Sequence, residues 1–583
     1  MVKIFINNKE YEVPENITVL EAAQKIGLQI PTLCHHPELE PIGACRVCVV
    51  EIEGARTLQP ACTTKVYDGM KIKTNSDRVV NSIKFNLSLI MANHPNDCMY
   101  CEADQRCELK KLVHIYDVRP LFPPTDLSDV FDDSSPSIQR DLSRCIKCQR
   151  CVRVCSEIQG MNIYSMIERG YKTIPQTAFD VPVYETDCIS CGQCANLCPV
   201  GAIYETPDWK KVLRLIERKD KILIAQTAPA VRVAIGEEFG MEPGSISTGK
   251  MVAAVKRLGF DYVFDTNFAA DLTIMEEGTE LIHRLKEGGP FPMFTSCCPG
   301  WINLLEKQYP EFINNVSSAK SPQQMMSSVI KTYFAKKIGV DPEDIVVVSI
   351  MPCTAKKDEI TRPQQKIKLE DGREIKATDY VITTREFAKL IKFKEINFMG
   401  LPDEEYDNPL GTSTGAGAIF GVTGGVMEAA LRTAYEILTE EKLPKLEFTA
   451  VRGLEGIREA EIDIKGKKFK VAIAHGTASV KRLLDDMKDG RRYYDFVEIM
   501  ACLGGCIGGG GQPKSLDPEI LQKRANAIYT IDERSTLRRS HENPDVQKLY
   551  AEFLEKPYSH IAHKLLHTYY TDRTKNKDKA MSS

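Results

Sequence analysis

CIKCQRCVRVC (Cys145–Cys155) and CISCGQCANLCP (Cys188–Pro199) repeat one spacing, C-x2-C-x2-C-x3-C. Thiols two residues apart on a tight loop converge on one metal centre, and fifteen of the 20 cysteines lie before residue 200, mostly at such intervals. Disulfide frameworks belong to small exported chains, and this chain has 583 residues, enough for three or more domains. Its 76 basic against 80 acidic residues, a formal net charge of -4, show no polycationic signature for nucleic acid and no basic tail for a membrane. The start, MVKIFINNKEYEVPEN (Met1–Asn16), has neither an apolar h-region nor a twin-arginine pair, and no later segment approaches about 18 continuous apolar residues. The expectation is a cytoplasmic, metal-rich protein with neither nucleic acid nor membrane as partner.

The repeated spacing is that of the bacterial two-cluster ferredoxins, in which the fourth cysteine of each run crosses to the other cluster. Cys145, Cys148, Cys151 and Cys198 are therefore expected to share one 4Fe-4S centre, and Cys188, Cys191, Cys194 and Cys155 the other. The first run has Ser156 where the second has Pro199, which touches no ligand.

Working outward, KIFIN (Lys3–Asn7) and EYEV (Glu10–Val13) read as a hairpin turning at Asn8-Lys9, and TVLEAAQKIG (Thr18–Gly27) as a helix capped by Thr18. Cys34, Cys45, Cys48 and Cys62 follow at C-x10-C-x2-C-x13-C. Four thiolates on a compact β domain suit a 2Fe-2S cluster, two for each iron, with zinc as the competing reading. The segment resembles a plant-type ferredoxin of β-grasp form, with wider spacing, over 1–78. HPNDCMYCEADQRC (His94–Cys107) sets His94 before Cys98, Cys101 and Cys107; alone it fits zinc as well as iron, and its neighbours favour a 4Fe-4S module over 79–119. An imidazole in place of a thiolate makes a cluster less anionic and raises its potential. PLFPPTDLSDVFDDSSPSIQ (Pro120–Gln139) reads as a linker, and the two-cluster domain spans 140–209.

From 210 to 583 the texture alternates strands and helices. KILIAQ (Lys221–Gln226), DYVFD (Asp261–Asp265), PFPMFT (Pro290–Thr295), DIVVVSI (Asp344–Ile350) and FVEIM (Phe496–Met500) read as buried strands of an α/β sheet. The last five cysteines all follow strand ends, where α/β sheets bind ligands. The fold class is thus modular, α+β for the cluster domains and α/β for the large one.

Three motifs would meet at one end of that sheet: FTSCCPGW (Phe294–Trp301), SIMPCTAKK (Ser349–Lys357) and IMACLGGCIGGGGQP (Ile499–Pro513). On them the chain resembles the FeFe (iron-only) hydrogenases, along nearly its whole length and in the same module order. The resemblance implies a large α/β H-cluster domain. In it Cys298, Cys353, Cys502 and Cys506 hold a 4Fe-4S cubane, with Cys506 also bridging to a two-iron subsite carrying carbon monoxide, cyanide and an azadithiolate. With one 2Fe-2S and three accessory 4Fe-4S clusters this accounts for 19 cysteines, the His-containing cluster taking three. Cys297 is left over. A spare cysteine is usually a small buried hydrophobe, but a thiol of pKa about 8.5 lies within tuning range of neutral pH as a proton donor.

MEEGTELIHRL (Met275–Leu285) places Glu277, Glu280 and Arg284 on one helical face. Such faces are commonly just solvated, but the resemblance implies a proton path through Cys297, Glu277, Ser317 and Glu280, with Arg284 near its exit. Glu276, alternating with them, reads as a surface residue. By the same resemblance Lys356 holds a cyanide by a charge-assisted hydrogen bond, and Met351, Met500 and Phe420 form an apolar shell with Pro229, Pro322 and Gln323 nearby. In TAPAVR (Thr227–Arg232) Ala230 stands where the family often has a serine that bonds a cyanide, a loss on the order of 1 kcal/mol expected to tune potential or bias. Gly508–Gly511 lacks the Lys-Ser/Thr of a phosphate cradle and suggests close backbone approach to the cofactor; GAGAIFG (Gly415–Gly421) is too weak a match for a nucleotide site.

The large iron-sulfur subunit of respiratory complex I begins with similar modules but lacks the last three motifs. Hydrogenase-like assembly proteins lack the set of Cys297, Glu277 and Lys356, and a sensory form would replace Cys297. The expected activity is reversible reduction of protons to H2. Electrons would come from ferredoxin or, in an electron-bifurcating complex, from a flavin-containing NAD(P) subunit, and maturation proteins would build the subsite.

Overall fold

The computed structural model describes residues 1–122, 128–443, 446–464 and 466–574. Its first unit is a five-stranded sheet in which Val2–Ile6 pairs antiparallel with Lys9–Val13 and parallel with Met70–Lys73. The hairpin turns at Asn7-Asn8 rather than Asn8-Lys9: Ile6 pairs with Lys9, and both asparagines take positive φ, 50° and 68°, as a two-residue type I′ turn requires. Thr18 caps the Val19–Lys25 helix in a reciprocal box with Glu21.

Within the stretch read as a linker, residues 123–127 lie outside the described residues. Its later part is not a plain connector. Phe131–Asp132 and Ile138–Asp141 pair as strands, joined by Ile203–Glu205 from the far end of the cluster domain. The turn-rich composition hid them because both strands are short.

The large domain has two four-stranded sheets where the sequence suggested one. The first is all parallel, ordered Tyr262–Asp265, Ile222–Thr227, Ile345–Met351, Tyr380–Thr383. The second runs Met293–Phe294, Phe496–Met500, Lys467–His475, Ile457–Ile464, with only the last pair antiparallel. Five buried apolar strands read alike whichever sheet they enter, so periodicity alone does not divide them. The segments leaving Thr227, Phe294, Met351 and Met500 meet around one cavity, so the carboxyl ends of both sheets contribute to it.

The Thr266–Glu287 helix, started by an Asp265 cap and ended at left-handed Gly288, is buried over most of its surface. It packs against Pro322–Val329, Gly415–Ile419 and Gly425–Thr439. The GAGAIFG glycines serve helix packing: a Cβ on Gly417 would lie 2.5 Å from the Asn267 carbonyl oxygen of this helix, and one on Gly415 2.1 Å from Asp532 Oδ1 of the Pro518–Arg534 helix.

Cluster and large domains interlock through Gln193 Nε2 donating to the Gly508 carbonyl (2.9 Å) and Thr354 Oγ1 to that of Ser190 (2.8 Å). A buried Arg385–Glu205 ion pair at 3.0 Å adds to this contact. No helix among the described residues is long and apolar enough to cross a membrane.

Candidate active site

In the first unit the thiols fall into two pairs: Cys48 Sγ lies 3.4 Å from Cys62 Sγ, and Cys34 Sγ accepts from the Cys45 N–H at 3.5 Å. Two thiols for each of two irons is the arrangement a 2Fe-2S cluster takes. Next, His94 is buried and its Nε2 has no partner. A buried imidazole nitrogen left unsatisfied is costly unless something binds it, and a metal centre supplies that. Cys101 and Cys107 Sγ each accept a backbone N–H at 3.4 Å, from Ala103 and Lys110. A Cβ on Gly201 would lie 2.4 Å from Cys101 Sγ, so this glycine lets the two-cluster domain close onto the module.

The two-cluster domain shows the crossing expected of its repeat. Cys145, Cys148, Cys151 and Cys198 line one small cavity, and Cys155, Cys188, Cys191 and Cys194 line the other. The Lys147, Ile163 and Ser190 N–H groups each donate to a cysteine sulfur, of Cys145, Cys155 and Cys188, at 3.4 Å. Donors aimed at sulfur favour the thiolate form that binds iron.

The third cavity is lined by Cys297, Cys298, Cys353, Cys502 and Cys506 together with Pro229, Pro322, Gln323, Met351, Lys356, Phe420 and Met500. One predicted neighbour departs: Ala230 is fully buried but stands behind the wall that Ala228 and Pro229 form, its carbonyl accepting from Gln512 Nε2 at 2.9 Å. Lys356 Nζ donates to Glu359 Oε2 (3.0 Å) and to the Cys297 carbonyl (3.2 Å), so the ammonium is paired yet lines the cavity. Gln323 Nε2 also donates to Glu359, leaving its own Oε1 buried without a partner. Four sulfurs and an ammonium in an otherwise apolar cavity fit an anionic iron-sulfur group. Within the glycine run, Gly509 lines the cavity, as the expected close approach requires. Cβ atoms on Gly508, Gly509 and Gly510 would lie 2.1, 2.3 and 2.1 Å from the carbonyl oxygens of Leu503, Pro352 and Cys191. The run thus also approaches protein backbone closely, twice within the large domain and once, at Gly510, across to the cluster domain.

Behind Cys297 the acidic helix supplies two hydrogen-bonded carboxyl groups, Glu277 and Glu280. Glu277 Oε1 accepts from the Ser296 N–H and hydroxyl at 3.2 and 3.3 Å, and its Oε2 is buried with no partner. Burial, reinforced by the Glu280 charge, pushes the Glu277 carboxyl up to about 8. Burial and the Glu277 charge push the Cys297 thiol well above its ordinary range. Glu280 Oε2 accepts from Ser317 Oγ (2.9 Å) and from the N–H and hydroxyl of Ser318, while Arg284 binds Oε1 at 2.5 Å.

Glu276, read as a surface residue, is 0% exposed. It takes Tyr550 OH on Oε1 at 2.5 Å, and on Oε2 the Tyr558 N–H at 2.9 Å and His567 Nε2 at 3.0 Å. Helical spacing places it off the Glu277 face, but the C-terminal segment covers that side too. Ser318, His567 and Tyr550 carry no local motif that sequence reading can use.

Fold and site together define an iron-sulfur oxidoreductase whose cluster-binding domains lead to one enclosed cavity. Family profiles match accordingly: a 2Fe-2S iron-sulfur cluster binding domain (1–77), an NADH-ubiquinone oxidoreductase-G iron-sulfur binding region (84–120) and the ferredoxin-like domain of NADH-quinone oxidoreductase subunit 3 (135–204). The iron only hydrogenase large subunit, C-terminal domain, matches 221–510, and the iron hydrogenase small subunit 518–573. The chain is 46% identical to the NADP-reducing hydrogenase subunit HndD of Solidesulfovibrio fructosivorans, over 98% of this chain and 99% of that one. It is 42% identical to iron hydrogenase 1 of Clostridium pasteurianum, over 98% and 100%. An apo FeFe-hydrogenase HydA1 structure from Chlamydomonas reinhardtii superposes with a TM-score of 0.57 at 47% identity, covering 63% of this chain and 99% of that one. The chain belongs to the FeFe hydrogenases, as a catalytic subunit.

Proposed function

We propose that this hydrogenase catalyses the reversible reduction of protons to H2 in the cavity of Cys298, Cys353, Cys502 and Cys506, fed by one 2Fe-2S and three accessory 4Fe-4S clusters. The observation that carries the assignment is the convergence of these four cysteines with Lys356 in one apolar cavity, with Cys297 as the only thiol left over. Cys298, Cys353, Cys502 and Cys506 would hold an H-cluster, with carbon monoxide, cyanide and azadithiolate ligands on its two-iron part, which would supply the redox chemistry. Ligand sets for the accessory centres are those grouped above, with His94 completing the set of Cys98, Cys101 and Cys107. Lys356 offers a cationic donor to a cyanide, and Met351, Met500 and Phe420 keep water out.

This chain's own residues move the proton. Cys297 exchanges it at the cavity wall, Glu277 holds it as a buried acid, Ser317 passes it to Glu280, and Arg284 marks the exit. Each thiol, carboxyl and hydroxyl here can both donate and accept. The setting proposed for the chain is cytoplasmic, where a reducing environment keeps cluster thiols available to iron.

Electrons enter from ferredoxin in the first reading. A second reading, a subunit of an NAD(P)-linked and electron-bifurcating assembly with a flavin-containing partner, is favoured by the likeness to a protein named as an NADP-reducing hydrogenase subunit. Anaerobic purification from native cells, with hydrogen assayed against ferredoxin, NADH, NADPH and combinations, separates the two. Protein matured by its assembly proteins is expected to evolve hydrogen from reduced viologen; a fully assembled H-cluster without turnover would overturn the catalytic reading.

A further inference from the structure

Beyond the linear path from Cys297 to Arg284, Glu280 has a second outlet. Ser318 Oγ lies 3.2 Å from Glu280 Oε2 and 2.8 Å from His567 Nδ1, and His567 Nε2 lies 3.0 Å from Glu276 Oε2. His567 and Glu276 are both buried. The geometry points to His567, held by Glu276, as a proton store that branches from the relay at Glu280 through Ser318. This rests on the relay reading given above.

Hydrogen-bond accounting carries the inference, because Ser318 has one hydroxyl proton and two acceptors within reach. When Glu280 is a carboxylate, Ser318 donates to it and must accept from His567 Nδ1–H. The Nε2 contact with Glu276 then also needs a hydrogen. Glu276 already accepts from Tyr550 OH and the Tyr558 N–H, and such donors favour its carboxylate form. An imidazolium at His567 completes both contacts in this state. When Glu280 carries a proton, it donates to Ser318, whose hydroxyl turns to His567 Nδ1, and a neutral imidazole keeps its Nε2–H on Glu276. The two states contain the same number of protons. They interconvert as Glu280 Oε2–H passes its proton to Ser318 Oγ while Ser318 Oγ–H passes its own to Nδ1.

Charged and aromatic groups from several elements face His567. Glu276, Glu280 and Arg284 come from the Thr266–Glu287 helix, and Tyr550 from the segment Tyr550–Leu554. Tyr558 packs edge-on at 5.1 Å, and the exposed His563 ring stacks on it at 4.7 Å, with His560 one turn back. His567 touches neither the cavity nor a cysteine ligand set. It is a proton-holding residue and not a catalytic one.

The test compares matured His567→Gln, Glu276→Gln and Glu280→Gln enzymes with the parent, reading hydrogen evolution from reduced viologen across pH, together with iron content and unfolding temperature. Glu280→Gln is expected to lose about 100-fold at every pH. The parent is expected to show an inflection in this profile that His567 sets. His567→Gln should retain iron and lose that inflection. Glu276→Gln should keep it but move it about one unit toward acid, since the carboxylate that favours the imidazolium is gone. A parental pH profile in His567→Gln beside an inactive Glu280→Gln overturns the store and leaves the relay standing. Full activity in Glu280→Gln overturns both. A destabilised His567→Gln with an unmoved inflection in Glu276→Gln assigns the contact to structure alone and overturns the proposal.

Discussion

Ser296 donates its backbone N–H and its hydroxyl to one oxygen of Glu277, at 3.2 and 3.3 Å, while the other carboxylate oxygen is buried without a partner. Two donors do not offset the burial, and the carboxyl, raised from 4.5 to about 8 by burial and then by the Glu280 charge, holds its proton at neutral pH. The folded chain therefore binds a proton that the unfolded chain releases between pH 4.5 and about 8. Stability falls as pH rises through that window. Glu277→Gln should flatten the fall, seen in unfolding temperature against pH for the apo chain, and should cut turnover of the matured enzyme by about 100-fold. An unchanged slope would show that Glu277 is ionised throughout.

The adjacent cysteines predict an asymmetric pair of outcomes. Cys298, whose sulfur accepts the Ala501 N–H at 3.4 Å, lines the same cavity as Cys353, Cys502 and Cys506. Cys298→Ser should lower the iron bound in the large domain. Cys297→Ser should leave iron and spectra intact and slow hydrogen evolution by about 100-fold or more. Parental turnover in Cys297→Ser would remove it from the relay.

Gly510 lies against the cluster domain, where a Cβ would stand 2.1 Å from the Cys191 carbonyl oxygen. Backbone cannot yield as a flexible side chain can, so Gly510→Ala should cost about 1–3 kcal/mol. The loop bearing Cys191 should also move away from the cavity. Thermal unfolding and the rate of electron transfer into the matured cavity check both. A stable variant with parental turnover would show that the contact relaxes.

His94 offers its buried, unpartnered Nε2 next to Cys98, Cys101 and Cys107 in sequence. His94→Ala should cost the cluster domain about four irons per chain, as a 4Fe-4S centre implies. His94→Cys should keep them and lower that centre's potential, because a thiolate adds negative charge where an imidazole adds none. Redox titration followed by electron paramagnetic resonance reads the direction. Full iron in His94→Ala would exclude His94 as a ligand.

Ligand spacing, caps and strand runs were legible in the sequence because they are local. A C-x2-C loop brings its thiols together whatever surrounds it, and Thr18 with Glu21 closes a cap inside one turn. Cys297 stood out by the same kind of counting, as the thiol no ligand set needed. What tertiary structure alone decided is non-local. Five strands of one texture divided between two sheets, according to which neighbours completed their hydrogen bonds. The glycine run met the backbone of Leu503, Pro352 and Cys191, which no spacing within the run reveals. Glu276, on a helix that reads as amphipathic, was buried because Tyr550, Tyr558 and His567 return from nearly 300 residues away to cover it. Helical periodicity tells which side chains share a face; only the fold tells what comes to lie against the other one.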